Sequence, residues 1–347
     1  MVMVIRRVFV YDPNHVNPYG VELASTISAA TGWDVVLYCS SDRRALAPRG
    51  VKVVPALAGR ATPKLRKILR RVLSPVRLSI RAGKSDLVLV WTSDVWDACV
   101  FAVRAKLGFR TFFIQHNPRS IRPRKGLGGV AERLLLRVAR VCVHTPELAA
   151  RVDGAVLPIA VVPHPAYEVT VGEVGGHQGD VPMSARPRVA LLGSLRNDKG
   201  LSSLPAIASA SGGGWNCIVI GPDRISGMMA NALRALDVTV VHPFDAEPAD
   251  PQVITELASC SVMLAPYTAV TESGSVILAH TVGVPVLALE SPAFEQSLSP
   301  ASRADTPEQL GAVLREFLDD PWPTYVQSPG ERQQAAVAGW RRILVGH

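Results

Sequence analysis

Residues 262–289, VMLAPYTAVTESGSVILAHTVGVPVLAL, decide the fold class of this sequence. An apolar strand (262–265) ends at Pro266, and a polar loop follows it. The apolar segment 276–280 predicts a helix, and a second apolar strand (286–289) comes after it. Strand, loop, helix and strand in this order form a parallel βαβ unit. The sequence therefore predicts an α/β fold with parallel sheets.

The loop of this unit has the composition of an anion-binding site. Ser273, Gly274 and Ser275 stand where the helix begins, and the free N–H groups of a helix N-terminus attract anions. Glycine lets a phosphate approach the backbone, and the two hydroxyls supply further donors. An ordinary helix N-cap is the alternative interpretation.

Length and composition indicate a globular protein of two domains. The chain has 347 residues, of which 48% are hydrophobic and 19% charged, and one compact core seldom serves so long a chain. No apolar run approaches the roughly eighteen residues that span a bilayer. Five cysteines, far apart, indicate free thiols in a reducing cytosol. No Asp-x-Asp, metal-ligand spacing or Gly-x-Ser-x-Gly is present, so we expect no bound metal and no serine-hydrolase mechanism.

Alternating strand-like and helix-like segments fill both halves of the chain. The first set occupies residues 1–165 and predicts a Rossmann-like domain. Residues 166–187 are rich in glycine, proline and polar residues, which predicts a linker. A second set occupies residues 188–328 and predicts a second Rossmann-like domain, with a closing helix within 329–347.

The net charge of +8 is divided unevenly between the two halves. Residues 1–165 hold 26 Lys and Arg against 10 Asp and Glu, a net charge of +16. The rest of the chain holds 11 against 19, a net charge of −8. This asymmetry predicts that the N-terminal domain faces an anionic partner.

A basic segment runs from Arg60 to Lys84, with nine Lys or Arg residues and no acid. Its apolar residues recur at roughly helical spacing, which predicts a basic amphipathic helix suited to an anionic membrane surface. A solvated helix face beside a loop is the alternative interpretation. Binding to nucleic acid is disfavoured, because no aromatic residues are interleaved and no nucleic-acid module is visible.

Residues 189–200, VALLGSLRNDKG, predict a strand that ends in a turn at Gly193 and leads to a basic pair. We expect Arg196 and Lys199 beyond the carboxyl end of the strand, where open α/β sheets bind ligands. A guanidinium fork and an ammonium point charge together suit a diphosphate. Basic loops are common, so this motif gains weight from the anion-binding loop predicted in the same domain.

Several motifs together resemble one family. GSLRNDKG resembles the G-x-x-R-x-x-K-G element of GT-B glycosyltransferases, in particular bacterial members of glycosyltransferase family 4, and PYTAVTESGS resembles their donor-binding element. In the first half, NPYGVEL, IQHN and VPHP resemble motifs of the same family in the family's order, so that the resemblance spans about residues 5–290. It implies a GT-B fold, in which two Rossmann-like domains with parallel sheets face each other across a cleft. It also implies that the last helix crosses back onto the first domain.

The resemblance implies a role for each matching position. Arg196 and Lys199 would hold the donor diphosphate and stabilise the leaving nucleotide, work that metal ions do in other glycosyltransferases. Gly20 would let the first loop close over the diphosphate, and His116 would contact the donor sugar. Further donor contacts, to phosphates, sugar or base, are expected at Gly193, Gly221, Phe244, Ser273, Gly274 and Ser275.

One departure from the family pattern concerns its carboxylates. Many members carry two glutamates eight positions apart, and the corresponding positions here are Val270 and Leu278. Glu272 lies two places out of register, and we expect it to substitute for one carboxylate, with a plain loop residue as the alternative. Asp12, just after the first strand, could serve as a base in an inverting variant or could cap a turn.

The sequence and the resemblance together predict a metal-independent, retaining hexosyltransferase without a cofactor, in the cytoplasm on the inner face of the membrane. Its donor would be a UDP- or GDP-sugar. Its acceptor would be a lipid-linked or other anionic saccharide of cell-surface polysaccharide or glycolipid synthesis. The alternatives are a nucleotide-sugar epimerase and a catalytically silent scaffold of a polysaccharide-assembly complex. A nicotinamide dehydrogenase is disfavoured, because no G-x-G-x-x-G follows the first strand.

Overall fold

A computed structural model describes residues 6–13, 19–40, 50–57, 62–92, 95–116, 126–167, 186–245, 250–270 and 273–346. The chain divides into two compact units, which we call the first and the second unit. The first comprises Met1–Pro165 and Gly330–His347, and the second comprises Ala166–Pro329. Of the predicted site residues, Glu272 lies outside the described residues.

The first unit is built on a parallel sheet. Its strands are mostly apolar, with charged residues chiefly at their first positions, as expected for strands that helices cover on both faces. The described strands are β1 (Arg7–Tyr11), β2 (Asp34–Ser40), β3 (Val51–Leu57), β4 (Asp86–Leu89), β5 (Thr111–Ile114), β6 (Arg140–Val143) and β7 (Ala160–Val161). They lie side by side in the order β3-β2-β1-β4-β5-β6-β7, and all neighbours are parallel.

Helices cover the two faces of this sheet unequally. The helices of the first 165 residues are α1 (Tyr19–Thr31), α2 (Lys64–Ala82), α3 (Val95–Lys106), α4 (Gly126–Val138) and α5 (Pro146–Ala150). Helix α1 packs on one face through Leu23 and Ile27. Helices α2, α3 and α4 form a layer on the other face through Leu78, Phe101 and Leu135.

The second unit repeats this architecture with a six-stranded parallel sheet. Its strands are β8 (Arg188–Leu192), β9 (Trp215–Ile220), β10 (Val238–Val241), β11 (Val262–Ala265), β12 (Val286–Leu289) and β13 (Arg303–Ala304), in the order β10-β9-β8-β11-β12-β13. Its helices are α6 (Leu204–Ser211), α7 (Gly227–Ala235), α8 (Asp250–Ala258), α9 (Gly274–Thr281) and α10 (Pro307–Asp319). The βαβ unit that the sequence predicts around residues 262–289 is β11, α9 and β12.

The last helix, α11 (Pro329–Leu344), packs on the first unit. Its Trp340 is fully buried in the same core cluster as the apolar residues of α1. Arg341 Nε donates to the carbonyl of Ala30 at 2.9 Å, and Gln333 Nε2 donates to Thr26 Oγ1 at 3.0 Å. The chain therefore ends in the unit in which it began.

Both sheets have a topological switch point. Strand β1 lies between β2 and β4, and β8 lies between β9 and β11. The strands that come next in the chain are added on one side of β1 and of β8, and the later strands are added on the other side. Open α/β sheets bind ligands in the crevice at the carboxyl ends of such strands. Asp12 follows β1 and Gly193 follows β8, so each unit brings predicted residues to its switch point.

The predicted α/β class with two parallel sheets is confirmed. Between β8 and α6, the chain forms a 3₁₀ turn, Leu201–Ser203, directly before α6. Pro205 lies in the first turn of α6, where its missing N–H costs nothing. All five cysteines are free thiols, and four are buried. In the described part of the chain, no helix combines the length and apolar character needed to cross a bilayer.

Candidate functional site

The loop after β8 is the centre of the candidate site in the second unit. Gly193, whose φ is +95°, turns the chain at the end of the strand, and its N–H donates to the carbonyl of Ile220 at 2.8 Å. The loop then forms a 3₁₀ turn, Asn197–Lys199, which ends at Gly200 with a φ of +69°. A Cβ on Gly200 would lie 1.6 Å from the carbonyl oxygen of Pro266, so the loop is pressed against the end of β11.

Lys199 lies over the ring of Tyr267. Its Nζ is 3.6 Å from the ring centroid, within cation–π range, and the ring is buried. The same ring packs on Phe294, with the centroids 6.0 Å apart. The ring thus holds the ammonium at the carboxyl edge of β8 and β11. A hollow beside it is lined by Ser194, Leu195, Lys199, Pro266, Tyr267 and apolar residues of β8, β11 and α6.

Two aspartates accept hydrogen bonds from N–H groups of this loop. Asp198 accepts two hydrogen bonds from Arg196, at 2.9 Å from Nε and 3.1 Å from Nη2. Asp223 accepts from the backbone N–H of Leu195 at 2.7 Å. Because the Arg196–Asp198 pair is partly exposed, it contributes no more than about 1 kcal/mol. A diphosphate, which carries more charge than one carboxylate, could replace either acid.

Close packing brings together Gly193, Gly221 and Ser275, three of the residues predicted to contact the sugar donor. A Cβ on Gly221, just after β9, would lie 2.4 Å from the carbonyl oxygen of Gly193, so only glycine allows this approach. Ser275 Oγ lies 3.5 Å from the carbonyl oxygen of Leu192. The start of α9 and the ends of β8 and β9 therefore converge on one edge of the sheet.

The start of α9 has the geometry of a capped helix. Ser273 is the N-cap residue, and its hydroxyl accepts from the N–H of Val276 at 3.4 Å. Gly274 lies under Tyr167, because a Cβ there would be 2.7 Å from the phenol oxygen. The cap uses one of the free N–H groups of this helix end. The helix start lies beside the end of β8, because Ser275 Oγ is 3.5 Å from the carbonyl oxygen of Leu192, and the positive end of a helix dipole attracts anions.

Phe244, predicted near the base, is half-buried beside the apolar cluster of β9, β11 and β12. Arg224 Nη2 lies 3.4 Å from the carbonyl oxygen of Phe244 and 3.1 Å from Asp245 Oδ1. Phe244 follows β10 and Gly221 follows β9, so both lie at the carboxyl edge of the sheet.

Three histidines of the first unit cluster around Tyr19, the first residue of α1. His116 follows β5, His144 directly follows β6, and His164 follows β7. The centroids of His116 and His164 lie 4.7 and 4.6 Å from that of Tyr19, and the centroid of His144 lies 5.4 Å from it. Because β5, β6 and β7 are neighbours, their carboxyl ends bring the three imidazoles side by side.

The three imidazoles are neutral at pH 7. Burial lowers the pKa of His116 to about 3 and that of His144 to about 4, and it lowers the pKa of His164 well below 6.5. His144 Nδ1 lies 2.9 Å from the carbonyl oxygen of Val162, and His164 Nδ1 lies 2.7 Å from that of Pro165. A carbonyl only accepts, so both Nδ1 atoms carry the proton and both Nε2 atoms are acceptors. His116 is the partly exposed member.

Gly20 lies in the first turn of α1, against the side chain of Asp12. A Cβ on Gly20 would be 2.2 Å from Asp12 Oδ2, so glycine is required for the carboxylate to lie at this helix start. Asp12 is buried, and its N–H donates to the carbonyl of Tyr38 at 2.9 Å. The positive end of the α1 dipole thus faces the protein's own carboxylate. Contact of Gly20 with a diphosphate stays a prediction.

The predicted residues therefore separate into two groups. Gly193, Arg196, Lys199, Gly221, Phe244, Ser273, Gly274 and Ser275 lie in the second unit, whereas Gly20 and His116 lie in the first. Sequence reasoning did not single out Tyr19, Tyr267 or His144. Tyr19 and Tyr267 were present only as letters of two motifs, and an aromatic residue directly after a strand end was the available signal. Among described residues, no group of three or more His, Cys, Asp or Glu side chains is arranged to hold a metal.

No family profile and no curated protein matches the sequence. Solved structures match over nearly the whole chain. A sucrose-phosphate synthase from Thermosynechococcus elongatus is 15% identical, with a TM-score of 0.65 over 98% of this chain and 94% of that chain. HepE from Anabaena, in complex with UDP and glucose, is 14% identical, with a TM-score of 0.64 over 98% and 94%. WaaG, a glycosyltransferase involved in lipopolysaccharide biosynthesis, is 14% identical, with a TM-score of 0.59 over 98% and 95%. The chain shares the GT-B fold of these glycosyltransferases.

Proposed function

We propose that this protein is a glycosyltransferase that takes its sugar from a nucleotide-diphosphate donor bound in the second unit. One observation carries the proposal: Lys199, Arg196 and the N-terminus of α9 converge at the switch point of the second sheet. An ammonium, a guanidinium and free backbone N–H groups are the donors that a diphosphate requires. Arrangement at a switch point distinguishes them from an ordinary basic loop.

The proposed roles follow from this placement. Lys199 holds the diphosphate as a point charge and stabilises the nucleotide as it leaves, and Arg196 joins it once it exchanges Asp198 for phosphate. Ser275 and the amide of Gly274 complete the anion site. The donor sites need no metal in this scheme, because cationic side chains and the helix end neutralise the developing charge. We propose that Glu272 substitutes for one of the two glutamates of the family pattern and contacts the ribose of the donor.

The identity of the donor base rests on likeness to HepE. That protein binds UDP and glucose, so UDP is the first nucleotide to test here and GDP the second. In the proposed scheme the base lies by Gly221 and Phe244, and His116 contacts the sugar as a neutral imidazole. Retention of the anomeric configuration is proposed from the family resemblance.

The acceptor is proposed to be a lipid-linked or other anionic saccharide, used at the inner face of the cell membrane. The charge of +16 within residues 1–165 supports an anionic partner for the first unit. WaaG acts in lipopolysaccharide biosynthesis, which supports an acceptor of cell-surface glycolipid or polysaccharide synthesis. Within the basic segment from Arg60 to Lys84, residues Lys64–Ala82 form α2, and we propose that this segment contacts the anionic leaflet.

Thermal unfolding with and without nucleotide tests the donor site. A ligand at about a hundred times its dissociation constant adds about 2.7 kcal/mol to stability, which is visible as a raised Tm. We expect UDP to raise the Tm of the wild type and of Lys106→Ala, a control that removes an exposed lysine of α3 in the first unit. Lys199→Ala should lose the shift. A wild type that neither UDP nor GDP stabilises would contradict the proposal and favour the silent scaffold.

Turnover separates the enzymatic alternatives. A transferase releases UDP from a UDP-sugar in an acceptor-dependent way, whereas an epimerase interconverts the sugar without any acceptor. We expect UDP release to rise when membrane extract containing lipid-linked saccharides is added, and Lys199→Ala to abolish it. Stabilisation by UDP without release or epimerisation, for every donor and acceptor tested, would leave the scaffold as the better description.

A further inference from the structure

The N-terminal half of α2 projects from the first unit. From Lys64 to Val72, every described side chain is exposed, and the first buried residue of the helix is Ser74. Ser74 Oγ donates to the carbonyl of Ala56 at 3.0 Å and ties the helix to β3 at that point. Leu78, one turn further, is fully buried in the core. About 13 Å of helix, at 1.5 Å per residue, therefore lies beyond the last packed turn.

This projecting half carries an apolar stripe. Its four large apolar side chains recur at i, i+3, i+4 and i+7, the spacing that places them on one face of a helix. Such a stripe normally faces a core, and an exposed one marks an interaction surface. The exposed fractions are 80% for Leu65, 60% for Ile68, 57% for Leu69 and 43% for Val72.

Helices α3 and α4 extend this surface at the same end of the layer. Trp96, in the first turn of α3, is 45% exposed, and its Nε1 donates to the carbonyl of Val72 at 2.9 Å. In the first two turns of α4, Leu127 is 75% and Val130 44% exposed. Each helix of the layer follows the carboxyl end of a strand, so their N-terminal ends lie at the carboxyl edge of the sheet. That edge also holds the histidine cluster.

The charges of α2 identify the kind of partner. Lys64 and Arg66 stand in the first turn, at the positive end of the helix dipole, where cations are unfavourable. Pro63, the N-cap residue, supplies no side-chain hydrogen bond to the free N–H groups. Anionic groups outside the protein would correct both defects. The exposed leucine and isoleucine side chains of α2 would in addition be stabilised by an apolar phase. The interface of an anionic bilayer offers both the anionic groups and the apolar phase.

We propose that the apolar end of this layer, formed by Leu65, Ile68, Leu69, Val72, Trp96, Leu127 and Val130, inserts into the interface of an anionic lipid bilayer. The inference deepens the proposed function, on which it rests for the lipid-linked acceptor. Trp96 lies at the level of the lipid headgroups, where indole rings are favoured, and the basic side chains of α2 contact the headgroups. Insertion at this end presents the carboxyl edge of the first sheet to the membrane. A lipid-linked acceptor would then reach the unit without leaving the bilayer.

The same helices supply a matched control. Ile80, Val103 and Leu107 are 76, 59 and 69% exposed, so they are as apolar and as accessible as the proposed inserting residues. Ile80 and Val103 lie in the C-terminal parts of α2 and α3, and Leu107 directly follows α3, so all three lie toward the amino edge of the sheet. General hydrophobicity predicts that both sets bind lipid, whereas our proposal predicts that only the carboxyl-edge set does.

Vesicle flotation tests the proposal with the full-length chain. The probes are vesicles of phosphatidylcholine alone and vesicles with about 30% phosphatidylglycerol. We expect binding to the anionic vesicles only. The triple variant Leu65→Gln, Ile68→Gln and Leu69→Gln should bind at least about tenfold more weakly, whereas Ile80→Gln, Val103→Gln and Leu107→Gln should bind like the wild type. Brominated lipids should quench wild-type fluorescence more than that of Trp96→Phe.

The readouts separate failure of the surface from failure of the donor site. Both triple variants should keep the UDP-induced rise in Tm, which shows that they fold and bind the donor. Equal binding by both triple variants, or loss of binding by the control set, would overturn the proposal. So would a concentration-dependent dimer that dissociates in the Leu65–Ile68–Leu69 variant, because a second copy would then be the occupant. Failure of the UDP shift with intact vesicle binding would instead refute the proposed donor.

Discussion

At the switch point of the second sheet, the loop after β8 carries Arg196 and Lys199 between two glycines, whereas the corresponding edge of the first sheet carries imidazoles and a carboxylate. Lys199 lies 3.6 Å above the ring of Tyr267 in one unit. In the other, His116 and His164 lie 4.7 and 4.6 Å from the ring of Tyr19. An aromatic ring supports polar groups at both edges, but the supported groups differ in charge.

The difference follows from burial. Imidazoles that are packed together lose their charge, because burial disfavours the charged form. The pKa of His116 falls to about 3 for this reason. One fold, used twice, thus has a charged edge, where we propose that the diphosphate binds, and a neutral, hydrogen-bonding edge, where we propose that the sugar is contacted.

A fall in pH should destabilise the first unit more than the second, and this is the largest effect that we expect. The folded pKa values of His116 and His144, about 3 and about 4, lie below the unfolded value of 6.5. Between these values the unfolded chain binds more protons, so stability is complete above pH 6.5 and is lost as the pH falls. At pH 5, each of these two buried histidines lowers the free energy of unfolding by about 2 kcal/mol relative to its value well above pH 6.5.

Amide hydrogen exchange at pH 7 and pH 5, corrected for the intrinsic rate, measures this effect by segment. Exchange from β5, β6 and α1 should accelerate much more than exchange from β8 and β11. His144→Gln should reduce the acid sensitivity of the first unit. Equal acid sensitivity in both units would show that the cluster is not the cause.

The second unit should be more sensitive to a change in its backbone packing. In Gly200→Ala, the new Cβ would lie 1.6 Å from the carbonyl oxygen of Pro266, and a φ of +69° is strained for alanine. We expect a loss of about 3 kcal/mol or more in urea unfolding. Gly212→Ala is the matched control: its φ is +80° and nothing lies within 4 Å of the new Cβ, so only the strain of about 1 kcal/mol remains.

Removal of a competing carboxylate should strengthen anion binding at the charged edge. Asp198→Asn removes the negative charge that pairs with Arg196 and one of the two oxygens that accept from it. We expect UDP to bind about two- to fivefold more tightly, the equivalent of about 0.5–1 kcal/mol. Isothermal titration calorimetry measures the change. Asp237→Asn, in an exposed pair with Arg186, should leave the affinity for UDP unchanged.

The smallest effect is expected at the ring below Lys199. Tyr267→Phe keeps the ring and removes a hydroxyl that is buried and has no hydrogen-bond partner among the described residues, so the affinity for UDP should stay within a factor of two of the wild type. Tyr267→Leu removes the ring and should weaken UDP binding by about 0.5–1 kcal/mol. The same titration compares the two. A larger loss for Phe than for Leu would show that the hydroxyl, not the ring, is what the site uses.

Much of the second-unit site could be predicted, because its parts lie close together in the sequence. GSLRNDKG places Gly193, Arg196 and Lys199 within seven residues after one strand, and PYTAVTESGS carries the next strand end and the start of α9. Parallel strands bring their carboxyl ends to one edge, so two local motifs sufficed to predict that these residues lie at the same edge of the sheet. The partners Asp198 and Tyr267 were within the same motifs, but their contacts depend on side-chain directions that spacing does not specify.

The first-unit site was harder to predict, because its members are far apart. Tyr19, His116, His144 and His164 come from α1 and from the ends of three different strands. His116 was singled out through its motif, but nothing local connects it with His144. The contact between Asp12 and Gly20 likewise depends on how α1 packs beside β1.

By itself, the sequence determined the α/β class, the two parallel sheets, the glycine and basic residues of the loop after β8, and a basic amphipathic helix within the segment from Arg60 to Lys84. These features depend on periodicity, turn chemistry and charge, which act over a few residues. Only the tertiary structure decided which half of α2 is packed, which acids hold Arg196 and Leu195, and that three histidines share one ring. Those outcomes depend on close packing between segments up to 145 residues apart, from Tyr19 to His164, and on the burial that this packing creates.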